Sequence, residues 1–146
     1  MTTTMRALTV RQPWASLIAA GIKDIENRTW VPAQFHGPIL IHASAGVDKT
    51  AYDHEHVRKA LFQAVGNDEL PTSAIVAVVG RVVAHRDSIG GHCEPWGVDD
   101  CWHWVLSDVR PLPKPIPAKG RLGLWIPEAD LLAAVEAQYT EMEVAW

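Results

Sequence analysis

The sequence predicts an α+β fold: a small, partly closed β-barrel of about five to six strands, flanked by two or three helices. Short apolar and β-branched segments recur along the 146 residues. Glycine and proline separate these segments where a small barrel has to turn. Only two or three segments carry a helical pattern. The length favours a single domain over residues 1–146.

The first third of the chain predicts two strands around a short helix. Residues 6–10 form an apolar strand, and QPWASLIAAG follows it as a helix. Pro13 suits a first helical position, and Gly21 suits a left-handed residue after the helix ends. The segment GPILIHAS, residues 37–44, predicts the second strand.

The middle of the chain predicts one helix and one long strand. Residues 48–66 have a single apolar stripe, and Asp48 is placed to cap the helix that they form. Residues 73–85 are rich in valine and predict a strand. Gly80 in its middle indicates a bulge or a sharp bend.

The last third predicts two strands and an acidic helix. CWHWVLS, residues 101–107, alternates in the manner of a strand. The following RPLPKPIPAKG lacks a backbone donor at four prolines, so we expect a connector and no central strand. RLGLWI returns to strand, and a helix begins near Glu128.

The charge distribution argues against a general nucleic-acid binder but leaves room for a basic cleft. The formal net charge is -4. Residues 128–146 carry five acids and no base, a local charge of -5. The other 127 residues then hold 12 acids and 13 bases, a net charge of +1. The acidic helix therefore accounts for the negative net charge, and the other residues are close to neutral.

The sequence predicts a cytoplasmic protein with free thiols at Cys93 and Cys101. No apolar run approaches the ~20 residues of a membrane helix, and MTTTMRALTV lacks the features of a signal peptide. We therefore expect no membrane association, and cysteines in that compartment remain reduced. No cofactor is predicted, because no glycine-rich phosphate loop is present.

The stretch GIKDIENRTW, residues 21–30, is the densest mixed-charge cluster between two apolar regions. Lys23, Glu26 and Arg28 can form a structural ion-pair cluster, in which an exposed pair is worth ~0–1 kcal/mol. Alternatively, the two cations contact phosphate or a base carbonyl, and Glu26 accepts from an amino group. Strand alternation separates Lys23 from the other two, so convergence requires a turn or bulge just after Gly21.

With its flanks, this stretch resembles the ASCH family from about residue 7 to residue 126. The fold of that family is similar to the PUA-like barrel. The resemblance implies an RNA-associated or nucleotide-binding role, in a cleft lined by the segment after the first helix. The motifs that carry it fall in order and at the family's spacing: Gln12-Pro13-Trp14, Gly21-Ile22-Lys23, Glu26-Asn27-Arg28 and Trp30.

The resemblance also implies a possible hydrolase. Some relatives are amidohydrolases that act on N(4)-acetylcytidine with a lysine, a threonine three residues later and a distant glutamate; others cleave RNA. Lys23 matches that lysine and Arg28 matches a cleft arginine. Glu26 stands at the threonine position, and Gly80 falls near the glutamate position. A carboxylate nucleophile would form an anhydride, so the relatives' route does not transfer directly.

Three further groups are candidate site residues. Trp14, beside the charged cluster, is the preferred base-stacking residue, while Trp102 and Trp104 share a strand face and either fill the core or line a cleft. His42 and Ser44 share another strand face and are either structural or a polar pair in the cleft. The predicted ligand-binding set is Gln12, Trp14, Lys23, Glu26, Asn27, Arg28, His42 and Ser44, with Lys23 and Glu26 as candidate catalytic residues.

A metal site is not predicted. His92, Cys93, Cys101 and His103 are suitable ligands for tetrahedral zinc. However, adjacent His92 and Cys93 rarely reach the same ion, and the role of these four residues stays open. His54 and His56 diverge on a helix, so they do not form a ligand pair.

Three functions follow in order of preference. The first is binding of RNA, a nucleotide or a nucleoside in the cleft. The second is a small hydrolase acting on a nucleoside amide or on RNA, with Lys23 as base or oxyanion stabiliser and Glu26 positioning water. The third is a protein-interaction domain that uses the acidic helix. The sequence leaves the oligomeric state open.

Overall fold

The computed structural model describes residues 5–31, 37–87 and 93–144. It contains six strands, three α-helices and one 3-10 helix in this part of the chain. Their order is β1 (Arg6–Gln12), α1 (Trp14–Ala19), β2 (Ile25–Arg28), β3 (Ile39–Val47), a 3-10 helix (Lys49–Asp53), α2 (Glu55–Val65), β4 (Ala74–Asp87), β5 (Cys101–Pro117), β6 (Leu124–Trp125) and α3 (Ala129–Val144).

The six strands form one sheet in the order β2-β5-β4-β3-β1-β6. Only β1 and β3 run parallel; the other neighbours are antiparallel. The predicted α+β class and strand number are therefore confirmed. Among the described strands, β2 and β6 remain edges and do not pair, so the sheet is not closed by backbone hydrogen bonds. One side chain spans part of this opening: Arg28 on β2 donates from Nη2 to the Thr9 carbonyl on β1 at 2.9 Å.

The main core lies inside this curved sheet. Its members come from β1, β3, β4, β5 and α1, and each large aliphatic side chain that leaves water contributes ~1.5–3 kcal/mol. They include Leu8, Ile18, Ile39, Ile41, Val79 and Trp104. A second cluster packs α3 on the sheet through Val135, and a third packs α2 through Val57.

The segment predicted as one helix, 48–66, is two helices. Asp48 does act as a cap, since its Oδ1 accepts from Thr50 N at 3.2 Å. The cap starts a 3-10 helix, which ends when His54 turns to an extended conformation, with φ -100° and ψ 123°. α2 begins at the next residue, Glu55, and ends at Val65, just before Gly66, whose φ is +60°. Apolar spacing alone does not reveal such a break.

The proline-rich connector is a strand, so that prediction is wrong. Residues 110–117 form the second half of β5 and pair with β4 from Arg110 opposite Val78 to Pro117 opposite Ala74. β2 pairs only with residues 102–105 of β5. The proline half therefore lies beyond the end of β2 and has a strand on one side only, where missing donors are tolerated.

Gly80 does not mark a bulge. The irregularity in β4 lies between Ile75 and Ala77, and the pairing with β5 continues past Gly80. A Cβ at Gly80 would stand 2.4 Å from Asp108 Oδ2 and 2.9 Å from Asp108 Cβ. The glycine is needed because the neighbouring strand approaches closely.

A helix that crosses a membrane must be both long and apolar, and the helices of the described ranges can be judged by these two properties. None of them meets both conditions.

Candidate functional site

A tight turn after α1 brings the mixed-charge cluster together. Gly21 adopts φ +76°, the left-handed region that glycine enters without steric cost. The amides of Ile22 and Lys23 both donate to the Leu17 carbonyl, at 3.1 and 3.0 Å. This turn brings Lys23 back against β2. On β2, Glu26 and Arg28 lie on the same face of the strand. The turn after Gly21 therefore brings Lys23, Glu26 and Arg28 together, as a common site requires.

Glu26 lies between two cations. Its Oε1 is 3.4 Å from Lys23 Nζ, while Oε2 accepts from Arg28 Nη2 at 2.9 Å and from Nε at 3.2 Å. Lys23 also donates to the Ile25 carbonyl. Lys23 and Glu26 are buried, whereas the Arg28 side chain keeps 25% of its surface exposed. The paired arginine therefore remains accessible, and the other two side chains form the layer beneath it.

Burial lowers the pKa of Lys23 below its usual 10.5. The charge of Glu26 and its hydrogen bond to the amine oppose this change, while Arg28 adds to it. Lysines with a lowered pKa are concentrated at functional sites. Structural ion-pair networks also shift the pKa of lysine.

Trp14 stands above this cluster. Its indole Nε1 donates to Asp48 Oδ2 at 3.1 Å, and Lys23 Nζ lies 5.7 Å from the centre of its ring. The hydrogen bonds from the Thr50 side chain and from Trp14 lower the pKa of Asp48. An anionic acceptor and a cation–π contact therefore fix the ring, which remains half-buried.

Two adjoining cavities open around Trp14, and both are lined by Trp14, Glu26 and Asn27. The first has a volume of about 460 Å³ and the second about 450 Å³. The first also reaches Lys23, and the second reaches Arg28. Their remaining walls include His54, His56, Pro95, Trp96 and Val98 in the first, and Arg11, Thr29, Trp30 and Asp48 in the second. We call the two together the Trp14 cleft.

Asn27 builds one wall of the Trp14 cleft. Its Nδ2 donates to the Trp96 carbonyl at 2.9 Å, and its Oδ1 accepts from Val98 N at 2.9 Å. Trp96 in turn donates from Nε1 to the Ile22 carbonyl at 3.0 Å. The turn formed by residues 93–98 is thereby attached to β2 and to the segment after α1. The amide of Asn27 is committed to this turn.

Gln12 lines neither cavity of the Trp14 cleft. It is fully buried, and its Nε2 donates to Ser16 Oγ and to the Pro71 carbonyl, each at 2.8 Å. Its Oε1 accepts from Ser16 N at 3.0 Å. These bonds fasten the start of α1 to β1 and to the segment before β4, which is a structural position.

His42 and Ser44 line a different cavity, of about 370 Å³, together with Thr9, Lys119 and Gly120. The buried His42 donates from Nε2 to the Ala118 carbonyl at 2.7 Å. Burial lowers its pKa, and the bond to Ala118 works in the opposite direction. Ser44 is engaged with Gly46 in a local turn. The structure does not bring this pair to the charged cluster.

The two tryptophans of β5 belong to the core. Trp104 is fully buried and donates from Nε1 to the Trp30 carbonyl at 3.2 Å. Trp102 is partly buried and packs against the same cluster. Trp102 and Trp104 therefore pack in the core and do not line a cleft for a base.

Sequence reasoning missed Trp96, His54 and His56 as cleft residues. Their spacing on a helix excludes a ligand pair and says nothing of a cleft, yet both histidines line the Trp14 cleft, and the His56 ring lies 5.6 Å from Trp96. Trp96 is 69 positions from Asn27, so no local pattern indicated their contact. No disulfide joins Cys93 to Cys101. His92 lies outside the described residues.

The open six-stranded sheet, the helices packed on it and the cleft beside the first helix define a small α+β domain. The model of the ASCH domain matches residues 8–142, and the chain therefore belongs to the ASCH family. It is similar in fold to the crystal structure of ASCH from Zymomonas mobilis, with 12% identity, a TM-score of 0.54, and coverage of 92% of this chain and 94% of that one. A tyrosine-to-phenylalanine mutant of that protein gives 12% identity, a TM-score of 0.55, and coverage of 92% and 98%. Among curated proteins, no match was found.

Proposed function

We propose that this ASCH domain binds a nucleotide or a short single-stranded RNA in the Trp14 cleft. The observation that carries the proposal is the position of Trp14, whose half-buried ring stands at the junction of two cavities, over a buried ion cluster. A fixed aromatic ring beside an accessible guanidinium suits a ligand that has a base and a phosphate.

Each residue of the cleft has a distinct task in this proposal. Trp14 stacks on a base, a contact worth ~1–3 kcal/mol. Arg28 offers the accessible part of its guanidinium to a phosphate or carbonyl oxygen. Glu26 has both oxygens engaged by Lys23 and Arg28, so it positions the arginine and does not read an amino edge. Asn27 holds the wall formed by residues 93–98.

The test is a calorimetric titration of the folded protein with the four ribonucleoside monophosphates and with short single-stranded RNA. We expect Trp14→Ala to weaken binding by about 5- to 150-fold, the factor that ~1–3 kcal/mol represents. The control is Trp125→Phe, which alters a tryptophan that lines neither cavity of the cleft. The proposal fails if no probe binds, or if Trp14→Ala binds as tightly as the unmodified protein.

The buried Lys23 favours hydrolysis of a nucleoside amide as a second candidate. In its neutral form it accepts a proton from a water molecule that adds to an acetyl carbonyl, as in N(4)-acetylcytidine. The tetrahedral intermediate then collapses, the cytosine amine leaves with the proton returned by Lys23, and acetate is released. Because Glu26 replaces the relatives' threonine, this route uses water directly and forms no acyl-enzyme.

This second candidate is tested by measuring acetate release from N(4)-acetylcytidine, with RNA cleavage assayed in parallel. Lys23→Met should abolish turnover while leaving nucleoside binding measurable. Lys59→Met is the matched control, because Lys59 is exposed and pairs with the exposed Glu55 on α2. Turnover that survives in Lys23→Met would exclude the role assigned to that lysine.

The acidic helix gives less support to a protein-interaction domain. α3 packs on the sheet through the buried Val135 and the partly buried Leu131, Leu132 and Tyr139. Arg110 stacks over the Tyr139 ring at 5.1 Å. The apolar side of α3 is thus already used within the domain. Location in the cytoplasm stays a prediction.

A further inference from the structure

A second cluster of reactive side chains lies at the end of the β4–β5 pair. His85 on β4 and His103 on β5 are directly opposite each other, and their ring centres are 5.4 Å apart. Cys93 joins them from the turn that precedes β5. One ligand atom from each of the three residues lies within 4.8 Å of the other two. The sequence motif had suggested His92 and Cys101 in this set, whereas the structure brings in His85.

The spacing of the ligand atoms suits a tetrahedral metal ion. Zn–S and Zn–N bonds are about 2.3 and 2.0–2.1 Å long, so a sulfur and a nitrogen on one tetrahedral zinc stand about 3.5 Å apart. Cys93 Sγ and His85 Nε2 are separated by 3.4 Å. A contraction of less than 1.5 Å would bring the widest pair to the same spacing.

The outer contacts of His103 prepare it to coordinate a metal. Its Nε2 lies 2.6 Å from the Val98 carbonyl, which can only accept a hydrogen bond. The proton of the neutral ring is therefore on Nε2, and the lone pair is on Nδ1. Metal-binding histidines usually donate their second nitrogen to a carbonyl or carboxylate in this way, which fixes the ring. His103 is only 2% exposed, so its orientation is also fixed by packing.

The backbone of Cys93 supports the same interpretation. Its φ is +64°, a conformation that costs ~1–3 kcal/mol for a residue with a side chain and that is concentrated at functional sites. The amides of Trp96 and Gly97 hold it by donating to the Cys93 carbonyl, at 3.1 and 2.8 Å.

From these observations we propose that His85, Cys93 and His103 bind one zinc ion. A thiolate and two imidazoles favour borderline-soft ions such as Zn²⁺ over Mg²⁺ or Ca²⁺, which prefer oxygen ligands. Cys93 releases its proton to solvent when the ion binds. Water supplies the fourth ligand. The ion fastens the 93–98 turn to the sheet, and that turn is a wall of the Trp14 cleft.

The experiment is a titration of the tag-free, reduced, chelator-treated full chain with Co²⁺ and then with Zn²⁺. One equivalent of cobalt should produce a thiolate-to-cobalt charge-transfer band together with the visible bands of a tetrahedral ion, and zinc should remove them. Cys93→Ser should lose the charge-transfer band, and His85→Gln should bind at least tenfold more weakly. Zinc should raise the melting temperature of the unmodified protein but not that of Cys93→Ser.

Two control variants separate this site from other cysteine and histidine groups. Cys101→Ser alters the other thiol, which donates to the Val98 carbonyl at 3.2 Å, and should bind cobalt normally. The double variant His54→Gln, His56→Gln should also bind normally, because it alters only the histidines of the cleft. The proposal is overturned if the unmodified protein shows no saturable binding, if Cys93→Ser keeps the charge-transfer band, or if Cys101→Ser loses it.

Discussion

At the scale of single residues, the stability of the buried ion cluster depends on the Glu26 carboxylate. Glu26 has a cation on each oxygen, and all three groups are packed into the floor of the Trp14 cleft. Without the carboxylate, Lys23 and Arg28 would face each other with no counter-charge. Removing one partner of a buried pair costs far more than removing a partner at the surface, because an uncompensated charge stays behind.

We therefore expect Glu26→Ala to lower the free energy of unfolding by ~3–5 kcal/mol. Glu55→Ala is the matched control, since Glu55 pairs with Lys59 at 3.2 Å while both side chains are more than 70% exposed. Glu55→Ala should lower the free energy of unfolding by at most ~1 kcal/mol. Urea unfolding of both variants measures the difference, and equal losses would contradict a buried cluster.

Lys23 adds a dependence on pH. Its pKa is lowered in the folded protein, while the unfolded chain keeps the usual value of 10.5. Between the two values the unfolded chain binds more protons, so the free energy of unfolding rises with pH across that window. Below the folded pKa the penalty for the buried charge is complete.

In Lys23→Met this contribution is absent, while the Glu26–Arg28 pair remains. The stability of the unmodified protein minus that of Lys23→Met should therefore increase as the pH is raised towards 10.5. Urea unfolding of both proteins at a series of alkaline pH values measures it. A difference that stays constant would show that the pKa of Lys23 is the same in both states.

At the scale of elements, β4 and β5 determine most of the architecture, and close contact between them sets a strict size limit. The approach of Asp108 to Gly80 leaves no room for a Cβ. Asp108 itself adopts φ +53°, so its backbone conformation also favours glycine.

Gly80→Ala should destabilise the protein by ~1–3 kcal/mol, the usual cost of overpacking. Adding Asp108→Gly should restore most of this loss, because it removes the atoms that the new methyl group would meet. Thermal or urea unfolding of the single and double variants gives the coupling between the two sites. Additive effects would argue against the contact.

Most elements could be predicted from local patterns, and the exceptions have physical causes. The turn at Gly21 and the cap at Asp48 depend on neighbours in the sequence, and both were found. The proline segment was misjudged because its position at the end of a long strand depends on how short β2 is. The wall of the cleft could not be found either, since the contact of Asn27 with Trp96 spans 69 positions. The mixed-charge pattern pointed to Lys23, Glu26 and Arg28 and the family resemblance to the same residues, whereas only the fold could separate His42 and Ser44 from them.

At the scale of the whole molecule, the distribution of charge limits the ligand. The chain has a net charge of -4, and within residues 5–31, 37–87 and 93–144 only Arg28 and Arg11 place accessible guanidinium groups in the second cavity of the Trp14 cleft. Such a site can neutralise about two phosphates. Each phosphate contact on a single strand changes the slope of log K against log salt concentration by about -0.7.

For short single-stranded RNA we expect this slope to be about -1.4. Calorimetric titrations at several salt concentrations measure it, and Arg11→Ala should halve it. Lys59→Ala should leave the slope unchanged, because Lys59 is exposed and lines neither cavity of the cleft. A slope steeper than about -4 would indicate a long electrostatic footprint that this cleft does not provide.

The bond from Arg28 to the Thr9 carbonyl has a mechanical consequence. The guanidinium that faces a ligand is also a strut between an edge strand and the strand on the other side of the gap in the sheet. A phosphate that pulls Arg28 outward therefore weakens the bond between Arg28 and the Thr9 carbonyl. A phosphate that binds the exposed side of the guanidinium without moving it strengthens this link between β2 and β1. Amide exchange in β1 and β2 would distinguish the two, because occupancy of the cleft would change how often these two strands open.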